Sequence, residues 1–254
     1  MKRKILLIVE GEKEEVRILG KDSHGLLDLI GVDCEIVPFA NPIYELYELY
    51  KNKEYDDIVE FLRAEKGLTL DKGTISKNAF SSIYLIFDYE PHYQKYSDET
   101  IKEMMNVFDN ETEMGKLYIN YPMIESFYHF KTLPDPEFFN RKISLEEFNG
   151  RKYKRLVGNE SCLQRGKNFT KKDLAYVMLH NYCKASFLLG DNSDDIDYMK
   201  LLEYQINLKN SKNQISVLST ISQIAIDYNF EHSMSVLESK LKEDFHNIID
   251  MNIE

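Results

Sequence analysis

Residues 4–16 read KILLIVEGEKEEV. Five successive aliphatics, Ile5 to Val9, describe a strand buried on both faces, because a half-solvated strand would alternate apolar and polar side chains. The run stops at a carboxylate, Glu10, followed by Gly11 and a segment of mixed charge. Ending a buried strand in a charge has little structural benefit, so Glu10 is a candidate for chemistry.

Outward from this strand, the first half alternates two kinds of pattern. From Glu12 to about Ile30 the spacing is helical, with acids in the first turn, where they favour the positive end of a helix. CEIVPFA reads as a second short strand, and NPIYELYELYKNKEYDDIVEFLR as helix with a break near Asn52. SSIYLIFDYEP is a third buried strand, stopped by Pro91, which cannot donate to a ladder. Ser97 is placed to cap a helix over DETIKEMMNVFDN. GKLYINYP is a fourth strand, and MIESFYHFK starts a further helix. Strands separated by helices imply right-handed crossovers and a mainly parallel sheet.

After about Thr132 the character changes. LPDPEFF is linker-like, and SLEEF has the Ser-x-x-Glu spacing of a capping box. Beyond Thr170, KKDLAYVMLHNYCKASFLL, DYMKLLEYQINL and NQISVLSTISQIAIDYNFEHSMSVLESKL all read as helix. The expected architecture is α/β over residues 1–132, followed by a mostly helical region over 133–254.

The apolar fraction of 43% and charged fraction of 30% are ordinary for a soluble globular chain. Cys34, Cys162 and Cys183 are widely spaced and show no ligand spacing, which argues against a disulfide framework or a structural zinc and fits a reducing cytoplasm. Met-Lys-Arg-Lys before Ile-Leu-Leu-Ile-Val imitates a signal peptide, but the apolar run is too short. No stretch approaches the roughly 18 apolar residues of a membrane span. A soluble cytoplasmic protein is expected.

The formal charge of −11 argues against a general nucleic-acid coat. Its distribution is uneven. Residues 151–172 hold Arg151, Lys152, Lys154, Arg155, Arg165, Lys167, Lys171 and Lys172 against one acid, Glu160. Such an island suits a polyanion such as a nucleic-acid backbone, or is simply a solvated face. Tyr153 and Phe169 within it could stack on bases or pack inward.

In an open parallel sheet, ligands bind beyond the carboxyl ends of the strands. Glu10 sits there on the first strand, and Asp88 and Glu90 on the third. If those strands are neighbours, three carboxylates meet and repel one another. A divalent cation relieves that repulsion, and an all-oxygen set suits Mg²⁺ or Mn²⁺. Glu14, one helical turn beyond Glu10, can aim at the same space. Glu12 and Glu15 read as helix-start charges. Glu125, after the fourth strand, is either a further acid of the site or a helix-start charge. The six histidines form no motif.

A glutamate and glycine after a first strand, with an acid-x-acid pair after a later one, resemble the Toprim domain of topoisomerases, bacterial primases and several nucleases. The resemblance covers roughly residues 4–131. It implies that Glu10 is the family's glutamate, with Glu14 serving a second metal as in the nuclease branch. Asp88 and Glu90 match the family's Asp-x-Asp, with Glu in place of the second Asp. NYPMIESFYHF is similar to an Asn-Pro-x-x-Glu segment of small defence-associated Toprim proteins, interrupted by Tyr121; it implies that Glu125 is a metal ligand. Lys131, nearby, either stabilises phosphate charge or is a solvated helix-end lysine.

Small size and a helical tail resemble overcoming-lysogenization-defect-like nucleases and the Toprim subunit of PARIS-type phage defence. That likeness implies a Mg- or Mn-dependent nuclease cutting RNA, with tRNA a candidate, or DNA, toxic during infection and governed by an ATPase. The Gly-Lys pairs at Gly20, Gly115 and Gly166 lack the rest of a phosphate loop, so such an ATPase is a separate chain. The tyrosine-rich segment 42–63 and the C-terminal helices are candidate docking surfaces, and a homodimer is compatible with them. Two other classes fit in part. A phospho-receiver would use Asp88 but needs a fifth-strand lysine that is not evident. A non-catalytic Toprim-like partner-binding module would keep the fold with its acids splayed or paired to lysines.

Overall fold

The computed structural model describes residues 4–20, 24–52, 57–66, 80–148, 151–190 and 195–251. Residues 1–3, at the charged start, and 53–56, inside the tyrosine-rich stretch, lie outside them.

The aliphatic run forms β1 (Lys4–Val9), with Ile5 through Val9 fully buried, as a strand covered on both faces must be. Helices α1 (Glu14–Leu19) and α2 (Leu26–Ile30) lead to β2 (Cys34–Pro38). Helices α3 (Ile43–Lys51) and α4 (Ile58–Lys66) precede β3 (Phe80–Asp88). Then follow α5 (Asp98–Val107), a two-residue β4 (Asp109–Asn110) and β5 (Gly115–Asn120). The sheet order is β2-β1-β3-β5-β4. All pairings are parallel except that of β4, an antiparallel edge too short to leave a sequence pattern.

Several local expectations are refined. The helical stretch after Glu10 is two short helices, because Gly20 closes α1 in the left-handed conformation, φ 90°, that glycine adopts without strain. Ser97 does cap α5, accepting the N–H of Thr100 at 3.0 Å. Ile124–Tyr128 is a single 3₁₀ turn, not the start of a longer helix. The SLEEF segment forms its reciprocal bonds, Ser144 N–H to Glu147 Oε2 at 2.9 Å and Glu147 N–H to Ser144 Oγ at 3.2 Å, on a turn.

The second half contains α6 (Arg151–Glu160), α7 (Lys171–Leu189), α8 (Tyr198–Lys212), α9 (Ile224–Tyr228), α10 (Phe230–Leu241) and α11 (Glu243–Asp250). It also contains an antiparallel ribbon of β6 (Lys142–Ser144) and β7 (Gln214–Ser216). Helix α7 is buried from Leu174 through Ser186 and packs against α2, α8, α10 and α11, as a helix apolar on all sides requires. One apolar cluster runs from Ile5 to Ile248, so the two halves share a core.

The expectation of helix across residues 214–222 fails for a physical reason. Ile215 and Val217 are β-branched, and the serines and threonines offer the backbone other partners. Buried amides then fix the extended path. Gln205 bonds both the N–H and C=O of Ser216, and Asn181 Oδ1 accepts the N–H of Ser219 at 2.7 Å. Leu218 exchanges two backbone bonds with Tyr121, just past β5, at 2.8 Å each. This joins the helical half to the carboxyl edge of the sheet.

Candidate functional site

Because β1 and β3 are neighbours with Val9 opposite Ile86, the chain leaving β1 runs beside the last residues of β3. Glu10 N–H donates to Ile86 O at 3.0 Å, and Glu10 Oε2 accepts the N–H of Asp88 at 3.1 Å. Register places Asp88 beside Asn120 at the end of β5. The carboxyl ends of the three central strands thus present Glu10, Asp88 and Asn120 side by side.

Gly11 explains the residue after the first acid. Its N–H donates to Glu15 Oε1 at 3.0 Å, and a Cβ at this position would stand 2.5 Å from Glu15 Oε2. The glycine therefore admits a second carboxylate against the backbone beside Glu10. Glu15 is only 5% exposed. Read in sequence as a helix-start charge, it belongs to the acidic cluster.

Glu14 does not. Its Oε2 accepts from Arg17 at 3.0 Å and from the Tyr128 hydroxyl at 2.9 Å. Burial works to raise its pKa, but these two hydrogen bonds prevail and lower it. Arg17 spans this side of the fold, donating also to Lys167 O at 2.7 Å and lying over Phe169 at 5.1 Å. Nothing in a helical repeat distinguishes Glu14 from Glu15 before the tyrosine partner is known.

Glu125, carried by the 3₁₀ turn after β5, is 1% exposed and completes the cluster. Its Oε1 accepts the Arg165 guanidinium and lies 3.5 Å from Lys154 Nζ. Its Oε2 and the Asp88 Oδ1 are buried without a hydrogen-bond partner among the described residues. Both are acceptors with their remaining capacity facing no donor, an arrangement that costs free energy unless a cation or proton takes it up.

Electrostatics ties the group together. Burial, then the Glu90 charge, pushes Glu10 up to about 8. Asp88 is raised well above the carboxylate range by burial and then by Glu10, Glu125, Glu15 and Glu90. Glu15 and Glu90 are also raised, chiefly by burial. Lys154 opposes the shift at Glu10 and Glu90.

This all-oxygen donor set fits a hard divalent cation in its chemistry. It is not preassembled: among the described residues, no group of three or more His, Cys, Asp or Glu side chains is arranged to hold a metal ion. The two orphaned oxygens mark where donors are available, and side-chain rotation would be needed to close a shell.

The expected cations divide. Lys131 does not face the acids; its Nζ lies 3.8 Å from Glu137 and 3.9 Å from Glu160. Lys154 and Arg165 serve as counter-ions to Glu125, and Lys172 pairs with Asp244 at 3.4 Å. Arg151, Lys152, Arg155, Lys167 and Lys171 are exposed and form no ion pair among the described residues. The first half of the basic island is α6, whose inner positions Tyr153 and Val157 are buried. Tyr153 and Phe169 are core residues at 0% and 8% exposure, not base-stacking surfaces. In α3, Tyr44 and Tyr47 are likewise buried, which removes them from any docking face. No helix among the described residues is long and apolar enough to cross a membrane.

Compared with family models, curated proteins and solved structures, the chain gives no significant match.

Proposed function

We propose that the protein is a metal-dependent nuclease of the Toprim type its sequence resembles, hydrolysing phosphodiester bonds in RNA, with tRNA a candidate, or in DNA. The supporting observation is the contact of Glu10 with Asp88 within a buried cluster that also includes Glu15, Glu90 and Glu125. Folding such like charges together is costly unless something neutralises them. Glu10, Asp88 and Glu90 would hold one Mg²⁺ or Mn²⁺, and Glu15 with Glu125 would serve a second, Glu15 taking the part expected of Glu14. When bound, the metal polarises a scissile phosphate and lowers the pKa of a water.

The chain's own residues do the rest. Strand register and the Asp88 N–H fix the position of the Glu10 carboxylate. Lys154 and Arg165, beside Glu125, are placed to exchange that carboxylate for substrate phosphate. The exposed cations of 151–172 follow the nucleic-acid backbone. Lys131 has no part. Control by a separate ATPase, a toxic role in anti-phage defence and a homodimer rest on the sequence resemblance.

A second reading, a non-catalytic partner-binding module, is favoured by one observation: Glu125 already has Arg165 and Lys154 as counter-ions. Cleavage decides between them. Total tRNA, single-stranded RNA and plasmid DNA are offered in Mg²⁺ and Mn²⁺ to wild type and Glu10→Ala, with and without any ATPase encoded nearby. Cutting by wild type that the variant loses supports the nuclease. Equal cutting by both removes Glu10 and its metal site from the chemistry, and silence throughout supports the module.

A further inference from the structure

A cavity of about 840 Å³ opens beside Glu90. Its lining includes the chain after β3, with Glu90, His92 and Tyr93, the turn after β6, with Glu146 and Phe148, and Lys152 of α6. It shares Glu90 with the acidic cluster, so a ligand here lies next to any group bound there.

The rings are fixed before a ligand arrives. His92 lies flat against Phe148, with centroids 5.6 Å apart and planes at 15°, and its Nε2 is 3.3 Å from Leu145 O. Tyr93 stacks on Tyr44 at 5.2 Å and its hydroxyl donates to Glu45. Leu145 N–H in turn donates to Asn213 O at 3.0 Å, which ties the turn after β6 to the end of α8. By contrast, Glu146 and Lys152 form no ion pair among the described residues.

Preset aromatic surfaces with uncommitted charges of both signs, in a cavity of ligand size, suit a flat heterocycle bearing hydrogen-bond donors and an attached phosphate. We infer that this cavity receives an unstacked nucleobase next to the scissile phosphate, so that the substrate is a single-stranded stretch of nucleic acid. The inference rests on the nuclease reading. A base inside a duplex is paired and stacked on both sides and does not reach such a cavity without being flipped out. The exposed His92 ring offers a stacking platform, which serves any base. The Glu146 carboxylate accepts from an exocyclic amino group, which adenine, guanine and cytosine carry and uracil and thymine lack. Lys152 meets the phosphate.

The test is fluorescence anisotropy on the full chain in EDTA, with short labelled single-stranded RNA and DNA and their duplexes. Wild type is compared with His92→Ala and Glu146→Gln, both at exposed positions and checked for an unchanged melting curve. Single strands should bind about tenfold or more tighter than duplexes, and His92→Ala should weaken them by about tenfold. Glu146→Gln should narrow the preference for oligo-C over oligo-U. The RNA and DNA arms identify the sugar accepted. Equal binding of duplex and single strand overturns the inference, as does unchanged binding by both variants. Cleavage of the same strands in Mn²⁺, with and without any ATPase encoded nearby, is scored separately. Normal cutting with unchanged variant binding removes the cavity assignment alone. Selective binding without cutting by wild type removes the nuclease reading and keeps the cavity.

Discussion

Glu10 Oε2 accepts the backbone N–H of Asp88 at 3.1 Å, holding the acid that ends the first strand against the acid that ends its neighbour. The bond favours a charged Glu10, yet burial and the neighbouring acids prevail and its pKa rises to about 8. Glu10 thus carries a proton near neutrality in the metal-free protein.

A pH dependence follows with a definite sign. An acid raised in the folded state, from 4.5 to about 8, destabilises the fold only when it must be charged. Its protonated form contributes fully below about 4.5, and that contribution is lost as pH rises through about 8. In EDTA, the stability of wild type relative to Glu10→Gln should therefore fall by about 3 kcal/mol between those limits, allowing for partial exposure. Urea unfolding of both proteins across this range measures the difference; a flat difference contradicts the electrostatic assignment.

Asp88→Asn should separate stability from activity. It removes a buried carboxyl whose charged form burial and four other acids oppose, with an oxygen that has no partner among the described residues. The metal-free variant should gain about 1–2 kcal/mol near pH 8, as replacement of uncompensated buried charges does. Cleavage should vanish. A variant less stable than wild type at this pH would show that the Asp88 carboxylate is satisfied in the fold.

Glu15 and Glu14 should behave differently despite being adjacent. Glu15→Gln keeps an acceptor for Gly11 N–H but removes a charge from the cluster, and cleavage should drop at least about tenfold. Glu14→Gln loosens only the contacts with Arg17 and Tyr128 and should leave the rate within about twofold. Single-turnover rates decide, and equal losses would return Glu14 to the site.

The Arg165–Glu125 pair should show strong coupling. Arg165→Ala leaves Glu125 buried with Lys154 alone at 3.5 Å. It should cost about 1–2 kcal/mol, less than a fully buried pair because Arg165 is partly exposed. Adding Glu125→Gln should recover most of that loss. A double-mutant cycle by thermal unfolding gives the coupling energy, and simple additivity would show that the contact carries little weight.

Much of the fold and part of the site are legible in the residues themselves. Continuous aliphatic runs mark β1 and β3, and their alternation with helices implies parallel neighbours, so the meeting of Glu10 with Asp88 is foreseeable. The choice of Glu15 over Glu14 is not, because it depends on a tyrosine 114 residues from Glu14 and on the space left by Gly11. The path of 214–222 is hidden for a similar reason. Its apolar residues fit a helix, while the amides that hold it extended, Gln205, Asn181 and Asn120, come from distant elements. Lys131 shows the converse: a cation close in sequence to Glu125 has partners of its own elsewhere.

The most direct measurement is a Mn²⁺ titration followed by thermal unfolding, on wild type and Asp88→Asn in parallel at pH 8. The melting temperature should climb with Mn²⁺ and saturate for wild type, with little or no rise for the variant. No rise in wild type, or the same rise in both proteins, would contradict a divalent-cation site at Glu10 and Asp88.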